Sequence, residues 1–163
     1  MPPLVARRVR TGVAVAATAL VLVGGADAAT SASLTPSESS LLTVMNQARL
    51  AHGLRPLRAD GRLERAARGH SSKMLRTGTF FHGAFTRRIR RVGIHAPRIG
   101  ENLAWSNGSL AQATTIVQMW LASPAHRANL LHPGYRIVGV GALRGTYEGH
   151  AGTLMVTTDF AGR

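Results

Sequence analysis

Three residues able to hold a metal ion or move a proton stand out along the chain: His82 in "FFHGAF", Glu101 in "GENLAW" and His126 in "SPAHRANLL". Glu101 is bracketed by Gly100 and Asn102 and followed by Leu103, Ala104 and Trp105, so its carboxylate belongs at the edge of a core and needs a partner there. Two imidazoles and a carboxylate converging in a cleft have two chemical uses. They can bind Zn²⁺ or another divalent metal with one position left open, or they can share protons as general acid and base. The separations, 19 and 25 residues, lack the i, i+4 spacing of a helical zinc motif. The same residues therefore also fit a satisfied structural network closing hydrogen bonds around a helix end. Ser123, three residues before His126, adds a third use, a Ser-His-Glu triad for hydrolysis, although no G-x-S-x-G elbow surrounds it.

The elements that must position these groups are legible in part. Thr35-Pro36-Ser37-Glu38 is a capping box with proline at the first helical position, and it predicts a helix to about His52 with Leu41, Met45 and Ala48 inward. A second helix is predicted from Asp60 to Arg76, with Leu63, Ala67, His70 and Met74 on one face and Glu64 and Arg68 as an exposed pair. His70 reads as a core histidine with one hydrogen bond, and His52, His95, His132 and His150 as turn histidines. "TRRIRRVG" predicts one or two helical turns with Ile89 and Val92 inward and four arginines outward, a solvated face or a docking patch for anionic polymer. Ser109 to Ala122 predicts a helix capped by Ser109, with Gln112 completing a capping box and Pro124 as its stop. "YRIVGVGAL" and "TLMVTTDF" then read as two antiparallel strands with a loose glycine-rich connection.

Composition bounds the setting. Residues 1–28 combine a basic start, an apolar run from Val13 to Val23 and Ala26-Asp27-Ala28, the pattern of a secretory signal peptide. That run is about half of the roughly 20 residues a membrane anchor needs, so no stable transmembrane anchor is expected. Residues 29–35 read as a linker and 36–163 as one domain. Without cysteine there is no disulfide, thiolate metal site or cysteine nucleophile, and stability must come from packing. Beyond the leader, 17 basic and 6 acidic residues remain, a formal charge of +11. Such a charge predicts attraction to anionic wall polymer or lipid headgroups outside the cytoplasm. With only eight Phe, Trp and Tyr and no recognition motif, specific nucleic-acid binding is not expected.

The ordered segments "LLTVMNQARLAHGLRPLRAD", "FFHGAF", "GENLAW", "MWLASPAHRANLL", "YRIVGVGAL" and "VTTDFAG" resemble the bacterial branch of the CAP superfamily, named for cysteine-rich secretory proteins, antigen five and pathogenesis-related proteins. The resemblance covers residues 38–162 and implies an α+β fold, a three-layer α-β-α sandwich around an antiparallel sheet. It also implies a cleft carrying two histidines and two acidic residues, a presumed site for a divalent metal or another ligand. His82, Glu101 and His126 match three of the four; the second glutamate falls on Ser123, which removes a charge and lowers the metal affinity to be expected. Pro124 would halt the helix and turn His126 into the cleft, with Arg127 and Asn129 tying that turn to neighbouring backbone. The resemblance thus implies a secreted, non-enzymatic domain offering a His-Glu-His cleft to a metal or small apolar ligand at the cell envelope. A metal-assisted or Ser123-dependent hydrolase and an electrostatic binder of anionic wall polymer are the rival functions.

Overall fold

A computed structural model describes residues 33–163; the leader read at 1–28 and most of the linker read at 29–35 lie outside the described residues. The capping box forms as predicted and opens α1, Pro36–Ala51: the Thr35 hydroxyl accepts from the Glu38 amide and the Glu38 carboxylate from the Thr35 amide. Glu38 is fully buried and reaches further, accepting from Arg68 Nε and Nη2 at 2.8 and 2.6 Å and from the Ala142 amide at 3.3 Å. Burial pushes its carboxyl up, and these hydrogen bonds outweigh that and hold it below its ordinary value. Arg68 is therefore not half of an exposed helical pair. Glu64 is buried too and stands 3.7 Å from a guanidinium already committed to Glu38.

A two-residue strand β1, Arg58–Ala59, leads into α2, Gly61–Thr77, capped by Asp60 and ended by left-handed Gly78. Next come α3, Phe85–Arg91, and a strand the sequence reading did not assign, β2, Arg98–Ser106. The helix expected from Ser109 begins later. Gly108, at φ 54, opens a short 3₁₀ turn over Gly108–Leu110, and α4 runs Ala113–Ala122 with Gln112 as a cap whose side chain bonds nothing. Pro124 does not simply end a helix. It occupies the first turn of α5, Pro124–Leu130, where its missing N–H costs nothing.

The two long strands β3, Tyr135–Tyr147, and β4, His150–Gly162, are antiparallel as expected, but their connection is not loose. Tyr147 pairs with His150 across Glu148 and Gly149, both at positive φ, the two-residue turn whose twist suits a hairpin. The sheet order is β1-β3-β4-β2, antiparallel except for β1. Helix α2 lies on one face with α3 behind it, and α1, α4 and α5 cover the other, which completes the three layers. Alternation assigns Val138, Val140, Ala142, Val156 and Phe160 to the α1/α4 core with Trp120, and Met155 to the opposite core with Met74. Gly139 and Gly141 let α2 lie close: a Cβ on either would collide with α2 backbone at Leu63–Glu64 or Ala67–Arg68.

One buried cation secures the chain after α5. Arg49, with no exposed surface, donates to the carbonyls of Leu130 at 2.7 Å, His132 at 3.2 Å, Tyr135 at 3.5 Å and Arg55 at 3.0 Å. Its guanidinium supplies donors from the end of α5 to the start of β3, across the turn between them.

Candidate functional site

Glu101 on β2 and Asp159 on β4 are register partners, and alternation turns both toward α2 and α3. Both are buried. The loop after α2 delivers His82, whose Nδ1 donates to Glu101 Oε1 at 2.8 Å while most of the ring stays exposed. From α3, Arg88 Nη2 donates to Glu101 Oε2 and to Asp159 Oδ1, the latter at 3.2 Å, so a single nitrogen bridges the two acids. His70 supports the loop: its Nε2 donates to the Phe81 carbonyl at 2.7 Å and its ring meets the edge of Phe81. It is the core histidine with one hydrogen bond that the helix pattern predicts.

The opposite face of β2 holds α5. Asn102 Nδ2 donates to the His126 carbonyl at 2.9 Å, and Asn129 Nδ2 donates to the Glu101 carbonyl at 2.9 Å and to Asn102 Oδ1 at 3.1 Å. Asn129 thus ties the turn to backbone as expected. Arg127 does not: it is exposed and its guanidinium rests 3.1 Å from His52 Nε2. It lies in the first turn and a half of α5, where it points away from β2 toward α1, so its expected structural role passes to Asn129 and Arg49. The imidazole of His126 meets Ser123 Oγ through Nδ1 at 3.0 Å.

Of the residues named from sequence, the structure joins His82 to Glu101 and Ser123 to His126, as two pairs. No hydrogen bond links Glu101 to His126; the Glu101 oxygens bond His82 and Arg88 instead. A triad of Ser123, His126 and Glu101 is not assembled. The pairs are still neighbours, close enough that the charge of His82 adds to burial in lowering the pKa of His126.

Sequence reasoning missed Arg88 and Asp159. Arg88 is not among outward-facing arginines, since Phe85, Arg88, Ile89 and Val92 follow the i, i+3, i+4, i+7 order of one inward helix face. That spacing was the available signal. For Asp159 it was a lone acid inside the β-branched run "VTTDF".

Burial pushes Glu101 up to about 7 against the opposing pull of Arg88, and pushes Asp159 up to about 7 as well, with Glu101 adding to the rise. Near neutrality the two acids hold one proton between them, and the remaining negative charge balances the guanidinium. His70 moves the other way, down to about 4, through burial first and then the charge of Arg88, so it is a neutral ring at pH 7. Asp159 Oδ2 and Arg88 Nε are buried without hydrogen-bond partners.

This arrangement does not fit a divalent ion. Among the described residues no three His, Asp or Glu side chains stand together as a metal-holding group. A divalent ion between Glu101 and Asp159 would have to displace Arg88, and it requires both acids deprotonated.

A sequence profile of the cysteine-rich secretory protein family, the CAP domain, matches residues 42–160. Two Bacillus subtilis proteins align with most of the chain: one described as the uncharacterized membrane protein YlbC, 32% identical over 69% of this chain, and the uncharacterized protein YkwD, 30% identical over 67%. The chain spans only 33% and 43% of their respective lengths. Among solved structures, an extracellular SCP-domain protein of Bacillus anthracis superposes with a TM-score of 0.66 at 26% identity, covering 80% of this chain and 44% of that one. An outer surface protein of Borrelia burgdorferi shares the fold at a TM-score of 0.65 and 23% identity, covering 76% of this chain and 90% of that one. With the three layers in place and the profile running from α1 to the end of β4, this cysteine-free chain belongs to the cysteine-rich secretory protein family.

Proposed function

We propose that this chain is an exported, non-enzymatic binding domain of the cell envelope that holds an anionic polymer on its arginine surface. One observation carries the reading: the charges are sorted by depth. Glu38, Glu64, Glu101 and Asp159 are buried, Asp60 is half-buried beneath Arg62, and Glu148 is the one fully exposed acid among the described residues. Of the described cations only Arg49 is buried and only Arg68 and Arg88 are half-buried; all others are exposed. A surface of one sign attracts the opposite sign over about a Debye length, and extended phosphate or carboxylate polymers supply it.

A groove of about 940 Å³ lined by Arg55, Arg58, Arg62, Arg136 and Arg163 together with Pro56, Ile94 and Pro97 offers such a surface. Export is supported by the leader pattern and by the extracellular description of the Bacillus anthracis relative. No helix among the described residues is long and apolar enough to cross a membrane. The Glu101 cleft remains a candidate for a small ligand reached past His82, the most exposed of its groups.

Immobilised polyphosphate is a suitable probe. The chain should be retained at about 50 mM salt and released as screening shortens the Debye length below about 5 Å. Arg58→Glu with Arg136→Glu should weaken retention about tenfold. Arg76→Glu with Arg144→Glu, an equal change in net charge outside the groove, should weaken it about threefold or less. Retention insensitive to salt, or equal losses in the two double variants, would count against the groove.

A further inference from the structure

We propose that the cavity between α2 and α3 binds a small organic phosphate, a monoester whose dianion meets cations of both helices while its apolar body rests on Phe81. The cavity, of about 410 Å³, has the size that takes a compact organic molecule. It shares no lining residue with the groove of Arg58 and Arg136, so either site can fail alone.

Two helix faces build it. Arg65, Gly69 and Lys73 follow one another a turn apart along α2, and Ala84, Arg87, Arg88 and Arg91 keep the i, i+3, i+4, i+7 order of one face of α3. Arg65, Lys73, Arg87 and Arg91 are exposed, and among the described residues none of the four forms a salt bridge. No acid lines the cavity. Like charges on facing helices repel one another, so the arrangement favours an occupant of opposite sign. A phosphate monoester brings close to two negative charges where a carboxylate brings one, and its oxygens match the planar fork of arginine.

The wall for the apolar body is set in advance. His70 holds Phe81, donating from Nε2 to its carbonyl at 2.7 Å and meeting the edge of its ring. Gly83, at φ 62, lets that ring lie against the backbone, since a Cβ there would stand 2.8 Å from Phe81 Cε2. Lys73 Nζ lies 5.2 Å from the ring centroid, which puts a cation at the wall itself.

Gly69 is an independent sign of an occupant. It sits inside the 17-residue α2, where glycine is less favourable than alanine, and a Cβ on it would meet nothing within 4 Å. Unlike Gly139 and Gly141 it makes no room for a neighbouring element; it lines the cavity and keeps it open.

Calorimetric titration of the full chain with phenyl phosphate at pH 7.5 tests the site, with inorganic phosphate as the probe of charge alone. Phenyl phosphate should bind about tenfold more tightly than inorganic phosphate, because its ring is buried against Phe81. Gly69→Leu fills the space with a better helix former; it should weaken phenyl phosphate about tenfold while Tm stays level or rises. Arg87→Glu with Arg91→Glu should weaken both ligands about tenfold, whereas Arg58→Glu with Arg136→Glu should change them by less than about threefold. Vesicles containing phosphatidate then identify the source: displacement of phenyl phosphate assigns the monoester to a lipid headgroup, and no displacement assigns it to a free ester. Absence of binding, equal affinity for the two phosphates, full binding in Gly69→Leu, or equal losses in the two double variants would each overturn the proposal.

Discussion

Arg49→Met should destabilise the domain by about 3–5 kcal/mol, the largest loss expected from a single side chain that touches neither the cleft nor the surface. Methionine fills much of the same volume, so the cost is not a cavity. It comes from four carbonyls that lose an Arg49 donor: those of Arg55 and Leu130 are left unpaired, while His132 still accepts from the Tyr135 amide and Tyr135 from Arg136 Nη1. Each buried acceptor left unpaired costs about 1–3 kcal/mol before relaxation lets water reach it. Burial lowers the pKa of the Arg49 guanidinium, and the charge of nearby Arg136 lowers it further, so part of the loss is offset by removing a poorly solvated charge. Urea unfolding followed by circular dichroism measures the difference, and a Tm lower by on the order of 10 °C should accompany it. Arg49→Lys should fall between the two, since one ammonium reaches fewer of the four carbonyls than the guanidinium fork. A methionine variant within about 1 kcal/mol of wild type would show that these hydrogen bonds do not hold the α5–β3 connection.

Arg49 also illustrates what a linear reading misses. It lies at a helix position where an arginine near the C-terminus is unremarked, and nothing local announces that the chain returns to it more than 80 residues later. The starts of α1 and α2 were legible because their caps, Thr35 with Glu38 and Asp60, act within four residues of sequence, whereas the capping box read at Ser109 and Gln112 does not form. The strand β2 was not legible, because both of its faces serve other elements. Glu101 and Leu103 turn to the α2/α3 side, Asn102 and Ala104 to the α4/α5 side, so polar and apolar residues occur on each face and the period-2 signal vanishes. Half of the candidate site followed the same division. His82 and Glu101 were identifiable as polar groups among apolar neighbours, whereas Arg88 was hidden in a run of arginines and Asp159 in a strand buried on both faces. What the sequence could not convey is that two buried acids select one arginine out of four and draw it inward.

The same cluster gives the domain a pH response that the wild type conceals. Glu101 and Asp159 have folded pKa values raised to about 7, so their stabilising effect is complete below their ordinary values near 4 and is lost as pH rises through 7. For His70, lowered to about 4 from 6.5, the stabilising effect is complete above 6.5 and is lost as pH falls through 4. Between pH 5 and 7.5 the two effects oppose each other: as pH falls the acid pair takes up protons in the folded state, while His70 stays neutral there and charges on unfolding. Glu64, raised by burial, sides with the pair, and His126, lowered by burial, sides with His70. The wild type therefore sums effects of opposite sign, which single substitutions separate. His70→Gln keeps a donor near the position of Nε2 and removes the titration, so that chain should gain about 2 kcal/mol on going from pH 7.5 to 5. Asp159→Asn removes the shared proton and lets Glu101 pair with Arg88 as a full carboxylate; that chain should lose about 2 kcal/mol over the same interval. Urea unfolding at the two pH values reads both slopes, and their opposite signs are the diagnostic result. Slopes of the same sign in the two variants would mean that the buried acids and His70 do not titrate as their surroundings require.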